Sequence, residues 1–328
     1  MTPHTPRGAS RREALRTAGA ALVLTLAGCV PQRRTLRLGL PPWPANDLYY
    51  VAERMGRYQA LPLRLDDYMS AEQCMQAFRN SVAELYPCTL DEALLLSAAV
   101  PDARIIQVLD FSYGADVILA QPEFTSLEAL RHKRIGYEAT ALGAYVIDRA
   151  LTLAGLGASD VALVTLPIDQ HERAFLSRQV DAVVTYEPTR GRLLDLGANS
   201  VFDSRQIPGE ILDVLLTHVR WVDEQPDTLA DILRGWLDAA AQVTARAPDA
   251  LAVLGPRLGV AAGAVADAFT GIRLVDLAGN RRLLEGEPPA VLDTARNIAS
   301  LMSRDGFLAH VPDLDRLVDA RVLARLRP

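Results

Sequence analysis

The chain has 328 residues, 50% of them hydrophobic and 23% charged, enough apolar material for one large or two medium cores, which excludes a disordered, collagen-like or disulfide-scaffold protein. The 34 basic and 40 acidic residues leave a formal charge of -6, and no basic run occurs beyond the N-terminus, so the footprint of a nucleic-acid binder is missing. Lys133 is the sole lysine and no G-x-x-x-x-G-K-[ST] segment occurs, which leaves little room for Schiff-base chemistry and none for that phosphate loop.

Arg7, Arg11, Arg12 and Arg16 precede an apolar stretch, Thr17 to Gly28, that ends at Cys29. The stretch is too short to cross roughly 30 Å of hydrocarbon and reads as an export signal. Ser10 to Arg16 resembles a twin-arginine signal, with Ala14 where an aromatic residue or leucine is usual; general secretion is the alternative. Leu26-Ala27-Gly28-Cys29 resembles a lipobox, so residues 1–28 are expected to be removed and Cys29 acylated, with 29–35 as a tether. The expected location is the periplasm or cell exterior, on a membrane. The competing reading is a soluble protein cut after a small residue nearby.

Strand and helix signals then alternate. Leu36 to Leu40 reads as a strand, Asn46 to Arg57 as a helix, Leu63 to Tyr68 as a strand, Ser70 to Asn80 as a helix, Ala83 to Tyr86 as a strand and Thr89 to Ala99 as a helix. Ser70-Ala-Glu-Gln, Thr89-Leu-Asp-Glu and Thr125-Ser-Leu-Glu match the capping box. Ile105 to Leu109 and Asp116 to Ala120 read as strands around a break. A second cycle follows: Arg134 to Tyr137, Val161 to Leu166 and Ala182 to Thr185 as strands, Ala141 to Ala154 and Gln170 to Ser177 as helices. This order predicts two lobes of α/β class, each a mainly parallel sheet flanked by helices. After the strand-like run Ile211 to Thr217, helices are predicted over Thr228 to Arg246, Pro248 to Leu258, Ala261 to Phe269, Ala290 to Asp305 and Asp313 to Leu326, packing back on the first lobe. Cys74 and Cys88 read as two buried free thiols.

Leu36-Arg-Leu-Gly-Leu with the aromatic-bearing loop after it, Thr125-Ser-Leu-Glu-Ala-Leu-Arg-His-Lys-Arg-Ile-Gly, and Gln179-Val-Asp-Ala-Val-Val-Thr-Tyr-Glu-Pro together resemble the nitrate, taurine, alkanesulfonate and thiamine-pyrimidine solute-binding proteins of ABC importers. The resemblance spans most of residues 36 to 328. It implies a two-lobed type II periplasmic-binding-protein fold whose chain crosses between lobes near Asp110 to Asp116 and near Leu212 to Thr217. The first lobe would comprise 36–112, the second 113–213, and 214–328 would return to the first. It implies a monomer that captures a small molecule, works with ABC permease and ATPase subunits, and needs no cofactor. A sensory lipoprotein using the same cleft is the alternative, and an enzyme on this fold a lesser one.

Ligand contacts are expected where the strands of such sheets end. Trp43, between prolines, is placed to stack on a planar or cationic ligand, or to pack under the first helix. Asn46 and Thr89 double as helix caps. Thr140 and Ala141 stand where a helix start offers free amides, and Tyr137 in the same loop is either a ligand contact or a core aromatic. Tyr186 and Glu187 follow an apolar strand, with a surface ion pair to Arg190 as the other reading of Glu187. Tyr113 and Asp213 mark the two crossings. The candidate acids Asp91, Asp116, Glu138, Glu187 and Asp213, with these aromatics, favour a planar or amino-bearing molecule, a pyrimidine or an aminosulfonate, over nitrate or a dianion. His171-Glu172 lacks the second histidine of a zincin and is expected on a surface helix, no G-x-S-x-G elbow occurs, and neither cysteine has metal-ligand companions. No catalytic residue and no metal is expected.

Overall fold

The structure, a computed structural model, describes residues 34–326. The expected signal segment, Cys29 and most of the tether lie outside these residues.

The first strand, β1 (Leu36–Leu40), alternates Leu36, Leu38 and Leu40 into the core. Helix α1 (Leu48–Arg54) leads to β2 (Leu63–Asp67), α2 (Ala71–Arg79) to β3 (Leu85–Thr89), and α3 (Leu90–Ala99) to β4 (Ala103–Ser112). Gly39 lets α2 press on β1: a Cβ there would stand 2.6 Å from Cys74 Sγ. The chain continues through β5 (Val117–Ala120), β6 (Arg134–Tyr137), α4 (Ala141–Leu153), β7 (Ala162–Thr165), α5 (His171–Leu176), β8 (Ala182–Thr185), α6 (Thr189–Asp195) and β9 (Asn199–Asp203). Then come β10 (Leu212–His218), α7 (Val219–Glu224), α8 (Pro226–Thr244), α9 (Pro248–Leu258), α10 (Val265–Ala268), β11 (Ile272–Leu274), α11 (Leu277–Leu284) and α12 (Val291–Arg304).

The strands form two sheets, ordered β11-β4-β10-β3-β1-β2 and β7-β6-β8-β5-β9. The parallel pairing expected of each sheet holds for β1 with β2 and β3, and for β6 with β7 and β8. Both sheets are nonetheless mixed, because β5 pairs antiparallel with β8 and β9, and β10 antiparallel with β3 and β4. These strands enter straight from the other sheet with no covering helix, so nothing turns them into a parallel crossover.

The links between sheets run side by side. Ser112 Oγ lies 2.7 Å from Ser204 Oγ, Ser204 Oγ accepts from Gly114 N at 2.6 Å, and Ser112 N donates to Ile211 O at 3.0 Å. The second link occupies 204–211. The expected crossing over Leu212 to Thr217 is instead β10, buried along its whole length between β3 and β4.

The C-terminal helices pack on the first sheet, as expected. α8 lies on α1, where Trp236 Nε1 donates to Ala45 O at 3.1 Å and Tyr58 OH to Ile232 O at 3.0 Å; α12 lies on α3. The helix expected over Asp313 to Leu326 does not form. Ile105 N donates to Leu317 O at 2.8 Å and Asp319 N to Ile105 O at 2.9 Å, which draws that segment into a bridge beside β4. The segment keeps only the 3₁₀ turns Leu314–Arg316 and Leu323–Arg325.

Candidate functional site

Both sheets direct the C-terminal ends of their parallel strands at one cleft, which encloses about 770 Å³ counted out to its mouth. The seam between β1 and β3 pairs at Leu38 with Leu85, and Pro87 brings no N–H to that strand, so the sheet opens just where the cleft begins. Pro41, Trp43 and Asn46 after β1, Cys88 and Thr89 at the end of β3, and Asp213 on β10 form one wall. Glu138 and Thr140 after β6, Tyr186 after β8, and His171 form the facing wall. Trp43 and Tyr186 meet across the gap edge to face, their ring centroids 5.7 Å apart.

Of the residues singled out from sequence, Trp43, Asn46, Thr89, Thr140, Tyr186 and Asp213 are brought together here. Thr140 Oγ1 accepts from Gly143 N at 3.1 Å and so caps α4. Thr89 makes no such cap bond. Four others lie off the lining. Tyr113 sits at the first link under the Arg273 guanidinium, 3.1 Å from its ring centroid. Tyr137 packs on the core and Ala141 opens α4. The Glu187 carboxylate accepts from Arg190 Nη1 at 2.7 Å and Gly191 N at 3.1 Å, so the ion pair forms, though with Glu187 buried and not at the surface.

His171 is not on a surface helix. It is 1% exposed and lines the cleft, with Nε2 3.1 Å from Leu166 O and Nδ1 3.4 Å from Thr185 Oγ1. Burial lowers its pKa, which favours the neutral ring. Glu92 is the residue that sequence reading passed over, because a carboxylate in the first turn of a helix is ordinarily a dipole contact in solvent. Here it is 4% exposed and takes a 2.9 Å hydrogen bond from Tyr86 OH.

The acids behind and around the cleft form one buried group. Asp91, Glu92, Asp110, Asp116 and Asp213 are each less than a tenth exposed, and Glu138 adds a sixth carboxylate. Asp213 stands directly opposite Asp110 in the ladder of β10 and β4. Burial drives the Asp213 carboxyl far above its usual range, with the neighbouring Asp110, Asp116, Glu92 and Asp91 charges adding to it. Burial also raises Asp116, to about 6. Glu92 and Asp110 rise for the same first cause. Trp43 Nε1 donates to Asp110 Oδ2 at 3.3 Å, which limits that rise. Cys74 and Cys88 are free and buried, and burial next to Glu92 pushes the Cys88 thiol up, away from the nucleophilic thiolate.

Residues 31–254 match the NMT1-like family. Among solved structures, the fold superposes on the periplasmic aliphatic sulphonate binding protein SsuA from Escherichia coli with a TM-score of 0.72 and 17% identity, over 88% of this chain and 93% of that one. The alkanesulfonate-binding protein SsuA from Xanthomonas axonopodis pv. citri, bound to MOPS, gives 0.71 and 17% over 90% and 97%. The desulfurization enzyme DSZB gives 0.66 and 19% over 89% and 98%. No protein of curated function matches the sequence significantly. The match of residues 31–254, more than half of the chain, places this protein in the NMT1-like family.

Proposed function

We propose that this protein is the solute-binding component of an ABC importer, anchored outside the cytosol through Cys29 and holding a small nitrogen- or sulfur-containing organic molecule between its two sheets. The observation that carries this reading is a cleft walled by strand ends from both sheets, at the junction of two adjacent links that can act as a hinge. The facing Trp43 and Tyr186 rings suit a flat ligand body. The named functions of the SsuA neighbours support capture and delivery, and permease and ATPase subunits are then the partners.

DSZB shows that the fold also serves an enzyme. Two features of this cleft favour binding. Its cysteine is held as a thiol, and its histidine is turned toward Leu166 O and Thr185.

Thermal-shift screening against small pyrimidines, amines and aminosulfonates is expected to find a molecule that raises the melting temperature and is recovered chemically unchanged from the complex. Recovery of an altered molecule would replace the binding reading with an enzymatic one. Anchoring is tested separately: Cys29→Ala should abolish labelling by a radioactive fatty acid, and persistent labelling refutes the anchor.

A further inference from the structure

Two aspartates directly opposite each other on neighbouring antiparallel strands repel, and such pairs weaken a sheet. This fold buries one, Asp110 with Asp213, and surrounds it with Asp91, Glu92, Asp116 and Glu138. No lysine or arginine lines the cleft. On bordering segments Arg149 pairs with Glu210, Arg205 with Asp203 and Arg190 through Nη1 with Glu187, the Arg190 Nε being buried without a partner.

Of the cleft oxygens that lack partners, Thr89 Oγ1 is a hydroxyl and the others are acceptors. Asn46 is 3% exposed and donates Nδ2 to Pro41 O at 3.0 Å, leaving Oδ1 buried and unpartnered. Asp116 is likewise 3% exposed and leaves Oδ2 unpartnered. Both line the cleft. Behind them Asp110 Oδ1 and Asp91 Oδ2 are also buried without partners. A buried acceptor without a donor costs free energy, and a ligand rich in N–H groups removes that cost. At the start of α3, whose backbone amides would otherwise favour an anion, the chain's own acids already stand: the amides of Asp91 and Glu92 hold down the rise of the Asp91 carboxyl, and the Thr89 amide that of Glu92. Among the described residues no group of three or more His, Cys, Asp or Glu is arranged to hold a metal ion.

We propose that this cleft selects an organic cation, an ammonium, amidinium or guanidinium group on a flat body, and that the cation displaces protons from the buried carboxyl cluster as it binds. The inference rests on the solute-binding reading and names its ligand class. The fold is shared with proteins named for sulfonates, but a sulfonate here would face Glu92, Asp116, Glu138 and Asp213 with no basic side chain to meet it.

The direction of the pH effect follows from the groups that face the cluster. Asp110, Asp213, Asp91 and Glu92 surround Asp116, with Tyr86 and Cys88 on β3, Tyr186 and Glu138 on the facing wall, Tyr145 on α4, and His171, whose pKa burial lowers. With Asp116 titrating at about 6 in the empty cleft, acid conditions leave its carboxyl protonated. A bound cation favours the ionised form, so binding tightens as pH rises through 6 and releases protons while it does so. The sign reverses for the stability of the empty protein. A carboxyl raised from its ordinary range stabilises fully below about pH 4 and loses that contribution as pH rises through 6.

The test uses matched probes of opposite charge, benzylammonium against benzenesulfonate and an aminomethylpyrimidine against a pyrimidine carboxylate, with titration calorimetry at pH 5.5 and 8 in two buffers of different ionisation enthalpy. At least one ammonium probe should bind, at least about tenfold tighter at pH 8, with net proton release at pH 5.5. Asp116→Asn should weaken that probe about tenfold or more, reduce the proton release, and melt no lower than the parent at pH 8 when empty. Binding of the anionic probes with exclusion of the cations overturns the cation inference while leaving the solute-binding reading intact. Failure of every probe of both signs overturns the two together.

Discussion

Trp43 carries three jobs through one side chain. Its indole N–H restrains Asp110, its ring edge meets Tyr186, and it lines the cleft. The other two tryptophans, Trp221 and Trp236, are 1% and 0% exposed. Ligand binding is therefore expected to change the intrinsic fluorescence through Trp43 alone, and Trp43→Phe should silence the change while preserving the fold. Trp43→Ala should weaken binding of a cationic ligand roughly tenfold, by removing a ring contact of about 1–2 kcal/mol. A full fluorescence response in Trp43→Phe would place the ligand away from this ring. Residue type and position in the sequence single out Trp43, Asn46, Tyr186 and Asp213, which line one cleft in the fold. Glu92 and His171 stayed hidden, because exposure is a property of what packs on a residue and not of its neighbours in sequence.

Among elements, helix starts were only partly legible. Ser70 accepts from Gln73 N at 3.3 Å and opens α2 as its capping box predicts. Thr89 heads α3 without a side-chain cap bond, its Oγ1 buried and unpartnered beside the first-turn acids Asp91 and Glu92. Thr125 loses its place to Ser126, whose Oγ accepts from Ala129 N at 3.4 Å and starts only the 3₁₀ turn Glu128–Leu130. In each case the pattern is local and its surroundings decide. The elements missed by periodicity are short. β11 gains its identity only by lying along Phe111 and Ser112, and Asn280 on α11 completes the same edge, with Oδ1 accepting from Val108 N at 2.7 Å and Nδ2 donating to Val108 O at 2.9 Å.

For the whole molecule, the two links form the place where the sheets can move against each other. Tyr113 N donates to Gly271 O at 2.7 Å, and a Cβ on Gly271 would stand 2.5 Å from Ala115 N, so the first link is pressed against the strand-11 segment as well as against Ser204. Ser204 is fully buried, and its hydroxyl holds both Ser112 and Gly114. Ser204→Ala leaves Gly114 N without that acceptor, which costs about 1–3 kcal/mol and slackens the junction. The empty variant is expected to melt lower and to show a larger radius of gyration by small-angle scattering, and saturating ligand should restore the compact value. An unchanged radius in both states would move the hinge elsewhere.

From sequence alone followed the α/β class, the two strand-helix cycles, the helical return onto the first sheet and the loops that border the cleft, because strand and helix periodicity and chain order are local and additive. The meeting of Asp91, Glu92, Asp110, Asp116 and Asp213 did not follow. These residues come from α3, β4, the first link and β10, and they share one buried space only because β10 returns between β3 and β4. Burial and charge repulsion depend on distances through space, which is why the chemistry of the cleft was decided by the tertiary structure.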